Sequence, residues 1–292
     1  MRAVVIIKGG LGNQLFQLVK AIELSTTYED VNLVSQTLMQ ENQRNFYLSD
    51  FLGMFKPACK VSTLTRVEFG RLFLARQLRK FRNPMSNKLQ VLLGVYFDQA
   101  DENNFPFNTK LKSHIYEGYW LKVITSSEIE DRLYLKLEEV IQRNAITESK
   151  LPFATAHVRG GDYVSNLMNY NNIGLLDEQY YINAFKILDL DPFRTELQVV
   201  TDDFKYAESV MRNFPNSNIL DPAKLCLWDS LLIMSKSNNL IIGNSTFGLW
   251  GAWLCSKNGG RVVMPRNWYR TSSSQIQIEL PGSFIVESSW QN

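Results

Sequence analysis

The chain has 292 residues, 45% of them hydrophobic and 21% charged, with a formal net charge of +2. That length suits two domains of roughly 150 residues, and the near-neutral balance excludes the broad basic surface that nucleic-acid binding requires. Cys59, Cys226 and Cys255 and the two histidines, His114 and His157, lack metal-like spacing, so neither a disulfide framework nor a zinc site is expected and a reducing, cytoplasmic setting fits.

In chain order, Ala3 to Ile7 is an apolar, β-branched run that predicts a strand, too short for a signal peptide. No run reaches the roughly 20 apolar residues of a membrane span. Lys8-Gly9-Gly10-Leu11-Gly12-Asn13-Gln14 reads as a glycine loop, and Leu15, Phe16, Val19 and Ile22 then recur at helical spacing. The loop is neither a dinucleotide fingerprint nor a Walker A loop, because its glycines are wrongly spaced and no Lys-Ser/Thr follows. It leaves Asn13 and Gln14 to be presented at a cleft. Val31 to Val34 predicts a second strand, and Arg44 to Glu117 has no regular pattern, with Pro57, Pro84 and Pro106 as breakers.

Within that stretch, Arg66 to Lys88 carries seven basic residues against the single acid Glu68, with Phe69, Leu72, Phe73, Leu74, Leu78 and Phe81 interleaved. One basic amphipathic helix fits the pattern, either as a solvated face or as a peripheral contact with an anionic membrane.

From Phe153 the alternation is regular. Strands are predicted to Val158, over Leu197–Val200, Asn218–Leu220, Leu240–Ile242 and Arg261–Met264. Helices are predicted from an Asp177 cap to Leu188, over Phe204–Asn213, around Leu225–Ser235 and over Thr246–Cys255, with a surface loop at Thr271–Ser274. Such alternation predicts a parallel sheet covered on both faces, with ligands at the carboxyl ends of its strands. His157, Arg159, Asp202, Asn244, Ser245 and Thr246 all fall there. The domains are expected to divide as 1–148 and 149–292.

Arg159 lies in His157-Val158-Arg159-Gly160-Gly161-Asp162-Tyr163-Val164, where a strand opens into a glycine-softened loop. A guanidinium fork there suits a phosphate, or it pairs with Asp162 as a loop clip. Asn244-Ser245-Thr246-Phe247 begins a helix whose free N–H groups favour an anion, or it is an ordinary cap. In Thr201-Asp202-Asp203 the paired acids fit a metal site, or Asp203 or Thr201 caps the next helix while Asp202 faces a ligand. The metal-free version is preferred, because no other acids or histidines cluster with them.

Taken together, Gly9-Gly10-Leu11-Gly12-Asn13-Gln14-Leu15-Phe16-Gln17, the His157–Val164 block, Val200-Thr201-Asp202-Asp203 and Asn244–Leu254 resemble the bacterial α-1,2-fucosyltransferases of glycosyltransferase family 11. The resemblance implies an α/β, GT-B-like fold of two Rossmann-like domains facing a central cleft, the first on the acceptor side and the second binding a GDP-sugar. It implies inverting transfer of L-fucose from GDP-β-L-fucose to a galactoside in a surface glycan, with no metal or other cofactor. Arg159 would hold the diphosphate with Ser245, Thr246 and Phe247. His157 and Asp202 would contact the nucleoside, Asn244, Gly10 and Gly12 would line the donor site, and Asn13 would stand near the reacting centre. Asp162 would act as base or orient Arg159. The chain departs from the family pattern in having Gly160 where a second arginine is usual, Gly248 and Leu249 where Ser and Trp are usual, and Leu121 where glutamine is usual. A transferase for another nucleotide deoxysugar and a non-catalytic sugar-nucleotide or glycan binder remain as alternatives.

Overall fold

The computed structural model describes residues 1–35, 45–54, 59–97, 110–121, 126–146, 152–271, 280 and 282–291. Position 148, the breakers Pro57 and Pro106, and Ser272–Ser274 lie outside them. The chain divides into two compact units, Met1–Arg132 and Leu133–Asn292.

The first unit is built on β1 (Arg2–Ile7), α1 (Leu11–Leu24), β2 (Asp30–Ser35), a 3₁₀ segment (Ser49–Met54), β3 (Lys60–Val61), α2 (Arg66–Arg79), α3 (Pro84–Leu92), β4 (Val95–Tyr96) and β5 (Ser113–Tyr116). Its sheet has the order β3-β2-β1-β5-β4, and the pairings of β1 with β2 and β5 are parallel. β1 is buried on both faces, as its unbroken apolar run requires. α4 (Ser127–Asn144) spans the division between the units. Its second half belongs to the second unit, where Glu138 meets Lys236 at 3.0 Å and Tyr134 stands edge-on to Trp253.

The second unit continues with β6 (Ala154–Val158), α5 (Asp162–Ser165), α6 (Leu167–Asn172), α7 (Glu178–Ile187), β7 (Leu197–Thr201), α8 (Phe204–Val210), β8 (Ser217–Ile219), α9 (Leu227–Ser235), β9 (Asn239–Ile242), α10 (Thr246–Lys257), β10 (Arg261–Pro265) and β11 (Phe284–Val286). Its sheet has the order β11-β10-β9-β6-β7-β8, again parallel at each described pairing. Asp177 caps α7 by accepting from the Tyr180 N–H. The two Rossmann-like α/β units match the expected fold class.

Four details differ from the sequence reading. α1 starts at Leu11, so the glycine loop is only Lys8-Gly9-Gly10, and Asn13 sits on the first helical turn. Gly9 makes this turn possible, with φ of +82°. Gln14 is not presented to ligand. It is buried, its amide nitrogen donates to the Gly9 and Asn45 carbonyls, and its oxygen accepts from the Tyr47 N–H. α8 ends at Val210, where Met211 leaves helical backbone at φ −93° and ψ 10°.

The fourth concerns residues 66–88, which form two helices rather than one. Pro84 at the first position of α3 and an Asn83–Ser86 capping box enforce the break. Arg71 donates to the Leu93 and Ser113 carbonyls. Arg76 grips Glu117 with two bonds of 3.0 Å, so these two cations serve the fold.

Candidate active site

β6, β7 and β9 are neighbours, with His157 in register with Val200 on one side and Ile242 on the other. Their carboxyl ends therefore deliver His157, Arg159, Asp202, Asn244 and the start of α10 to one end of one sheet. The Gly243 N–H closes this edge by donating to the His157 carbonyl at 2.9 Å.

Arg159 is the hub. One terminal nitrogen bonds Asp162 and the other Asp202, while the guanidinium lies 4.9 Å over the Tyr163 ring. Of its five N–H donors, two are committed to these carboxylates and the buried Nε has no hydrogen-bond partner. Each terminal nitrogen keeps a second N–H. The loop clip with Asp162 is thus observed, and donors remain for a ligand beside it.

Asp162 is held from two sides, Oδ1 by Arg159 and Oδ2 by the Asn169 amide at 3.3 Å. Asp202 accepts from Arg159 and also from the Gly160 N–H at 2.9 Å. Asp203 caps α8 by accepting from the Tyr206 N–H at 3.1 Å, and Thr201 closes the turn onto Asp203. The helix cap at Asp203 is the one the sequence allowed, while Asp202 is engaged by Arg159 and the Gly160 N–H. Among the described residues no group of three or more His, Cys, Asp or Glu could hold a metal ion.

The start of α10 lies beside this hub. Ser245 caps it, accepting from the Gly248 N–H at 3.5 Å. Tyr163 links the two parts, since its hydroxyl donates to the Asn244 carbonyl at 3.3 Å while its ring carries Arg159. Burial pushes that phenol up to about 12, so it stays a donor at any working pH. The Asn244 amide is a strut, donating to the Gly174 carbonyl at 3.2 Å and the Trp268 carbonyl at 3.3 Å. Thr246 and Phe247 are half-buried at the helix start, with the Phe247 ring 6.1 Å from the imidazole of His157.

His157 is buried and its Nδ1 has no hydrogen-bond partner. It lies against Gly248, where an added Cβ would come within 2.8 Å of Nδ1, so glycine is the residue that lets the imidazole reach the helix start. Burial first, and the Arg159 cation second, push its pKa down to about 3 from the usual 6.5. The ring is neutral in the folded protein. An unfolded chain takes up a proton below 6.5 that the folded one refuses, so His157 contributes stability above pH 6.5 that is lost as pH falls toward 3. Urea midpoints measured between pH 7 and pH 5 are expected to fall more steeply in the wild type than in His157→Gln, and equal slopes would contradict the assignment.

Gly10, Gly12 and Asn13 lie in the first unit, at the N-terminus of α1 beyond β1. Gly10 caps that helix without a side-chain hydrogen bond. The sequence reading missed a charged group in the same unit: Glu117, just past β5, is held by Lys8 at 3.1 Å as well as by Arg76. No periodic signal pointed to it, because β5 is a short polar strand.

The fold and these sites define an α/β protein of two Rossmann-like units, whose second sheet gathers an arginine fork and a helix start suited to an anion. The chain belongs to Glycosyl transferase family 11, whose sequence model matches residues 3–280. It is therefore a glycosyltransferase. It is 28% identical over 291 residues to the Escherichia coli O-antigen biosynthesis glycosyltransferase WbnK, covering 90% of this chain and 93% of the relative. It is 24% identical over 280 residues to an Escherichia coli alpha-1,2-colitosyltransferase, covering 89% and 90%. Among solved structures, the E. coli heptosyltransferase WaaC with ADP matches with a TM-score of 0.44 at 10% identity, covering 99% of this chain and 94% of that one.

Proposed function

We propose that this glycosyltransferase moves L-fucose from GDP-β-L-fucose to the 2-hydroxyl of a galactoside, inverting the anomeric carbon without a metal, during assembly of an O-antigen-like glycan. The observation that carries the reading is the shared location of Arg159 and the start of α10, joined through Tyr163 at one sheet end. The diphosphate takes the terminal N–H groups of Arg159 left over from Asp162, displacing Asp202 from the fork. Asp202 is then released toward the hydroxyls of the nucleoside. N–H groups at Thr246 and Phe247 share the diphosphate charge through the positive end of the helix, while the Ser245 N–H is taken up by the Gly243 carbonyl at 2.8 Å. As the bond from the sugar C1 to the diphosphate oxygen breaks, these donors meet the charge that grows on the leaving group.

The acceptor oxygen attacks C1 from the opposite face, turning β into α as the diphosphate departs, and its proton passes late to solvent water. Both Asp162 oxygens already accept hydrogen bonds, so Asp162 is engaged in orienting Arg159 rather than in taking the acceptor's proton. By family resemblance, Asn13 is assigned a place near the reacting centre or acceptor, and Gly10 and Gly12 a part in binding the donor.

The test is transfer from GDP-fucose to a panel of galactosides with EDTA present and the linkage read by NMR. An α-1,2 linkage formed at full rate in chelator is expected, whereas strict dependence on Mn²⁺ would move the assignment to a metal-dependent transferase. The relative named for colitose transfer favours a second reading, in which the donor carries another deoxysugar. Thermal shifts with a panel of nucleotide sugars separate the two, because a ligand raises the melting point of the state that binds it. Affinity for GDP without turnover on any donor would identify a sugar-nucleotide binder instead.

A further inference from the structure

The helix pair α2–α3 carries an exposed apolar surface that the donor site does not use. Val67, Phe81, Met85 and Leu92 are 72%, 69%, 72% and 61% exposed, with Phe73, Leu74 and Leu89 exposed beside them in sequence. On α2 positions 67 and 74 lie seven residues apart, on α3 positions 85, 89 and 92 follow i, i+4, i+7, and Phe81 sits in the turn between the two helices. Each set is therefore one outward stripe. The opposite faces carry the packing, with Leu72 and Ala75 in the core of the first unit and Gln90 and Val91 buried. Scattered exposed apolar residues are ordinary, but two parallel-spaced stripes on adjoining helices are not.

The charge accompanying these stripes has one sign. Arg66, Arg79, Lys80, Arg82 and Lys88 are exposed, whereas Glu68, the acid of this segment, is buried and paired with Arg2. A second copy of the same face would set cations against cations, which disfavours a two-fold pairing. An anionic bilayer satisfies both features together. Phe, Leu, Met and Val enter the headgroup boundary while each flanking cation strengthens partitioning by roughly fivefold.

We propose that α2–α3 is a docking surface for an anionic membrane leaflet, lying on the bilayer and not crossing it. No helix among the described residues is long and apolar enough to cross. The inference uses none of the residues assigned to the donor, so it stands or falls separately from the transfer reaction.

Co-sedimentation of the full chain with phosphatidylglycerol-containing vesicles and with pure phosphatidylcholine vesicles tests it. Two variants are compared with wild type, Val67→Ser/Phe73→Ser/Met85→Ser/Leu92→Ser and Lys80→Gln/Arg82→Gln/Lys88→Gln. Wild type is expected to bind the anionic vesicles selectively and to release them in high salt, and each variant to lose at least about tenfold in partitioning. Melting curves and transfer to a soluble acceptor are expected to be unchanged, and the basic variant keeps the test decisive if the apolar one folds poorly. Absence of binding to anionic vesicles, equal binding to neutral ones, or wild-type binding in the basic variant would overturn the proposal. So would a wild-type dimer that the apolar variant dissociates, which would assign the face to a second copy.

Discussion

Arg159→Lys is expected to lower kcat/KM for sugar transfer by about 10²–10³-fold while the protein keeps its melting transition. Removing one well-placed donor to a developing oxyanion typically costs that much, and here the geometry of the donor matters as well as its charge. The guanidinium spans Asp162 on one side and Asp202 on the other while its face rests on Tyr163. An ammonium is a compact point charge that cannot reach both carboxylates, lie flat on the ring and still offer parallel donors to a diphosphate. Because Lys keeps the positive charge between the two acids, the fold is preserved and the loss falls on catalysis. The measurement is steady-state kinetics on purified variant with circular dichroism as the folding control. A kcat/KM within a few-fold of wild type would remove Arg159 from the reaction.

The second large effect is expected from restoring the family's usual arginine. Gly160→Arg should destabilise the protein and should not raise activity. A Cβ at position 160 would lie 2.5 Å from Asp203 Cβ and 3.1 Å from Tyr206 Cδ1. Neither neighbour is the free end of a flexible chain, since Asp203 Cβ is fixed by the backbone and its carboxylate caps α8. Relief requires the backbone to move, which strains the cap and the Gly160 N–H bond to Asp202. Overpacking and a weakened cap together cost about 2–3 kcal/mol, or a melting point lower by roughly 5–10 °C. Gly160→Ala introduces the same Cβ without the charge and is expected to show most of the loss. If Gly160→Arg melted like wild type and transferred sugar faster, the steric account of this departure would be wrong.

Two of the departures inside the donor-side motifs, both glycines, thus have a common form. At 160 the glycine admits Asp203, and at 248 it admits the His157 ring. Each missing side chain is replaced by close approach of a neighbour, and neither gap could be seen from the motif alone. A linear pattern records that an arginine or a serine is absent. It does not record what occupies the space.

The second unit was legible because it is regular. Strands buried on both faces read as short apolar runs, and caps such as Asp177 and Ser245 mark helix starts by their chemistry. The first unit was less so. β5 reads Ser-His-Ile-Tyr, yet it lies beside β1 in the sheet and is fully buried. Its polar atoms are satisfied from a distance, with the Tyr28 hydroxyl 2.8 Å from both His114 Nδ1 and the Tyr116 hydroxyl. A strand whose burial depends on partners more than eighty residues away carries no local signal.

By itself the sequence determined the parallel α/β build of the second unit, with an arginine loop and a helix cap at strand ends, because apolar periodicity and capping chemistry act within a few residues of chain. Tertiary structure alone decided the finer assignments. It set Arg159 between two carboxylates on a tyrosine ring, turned Asn244 and Gln14 into struts, and split the basic segment into inward cations and an outward apolar face. Those outcomes depend on which distant groups compete for the same hydrogen bond or the same few ångströms of space, and that competition begins only when the sheet has brought its strand ends together.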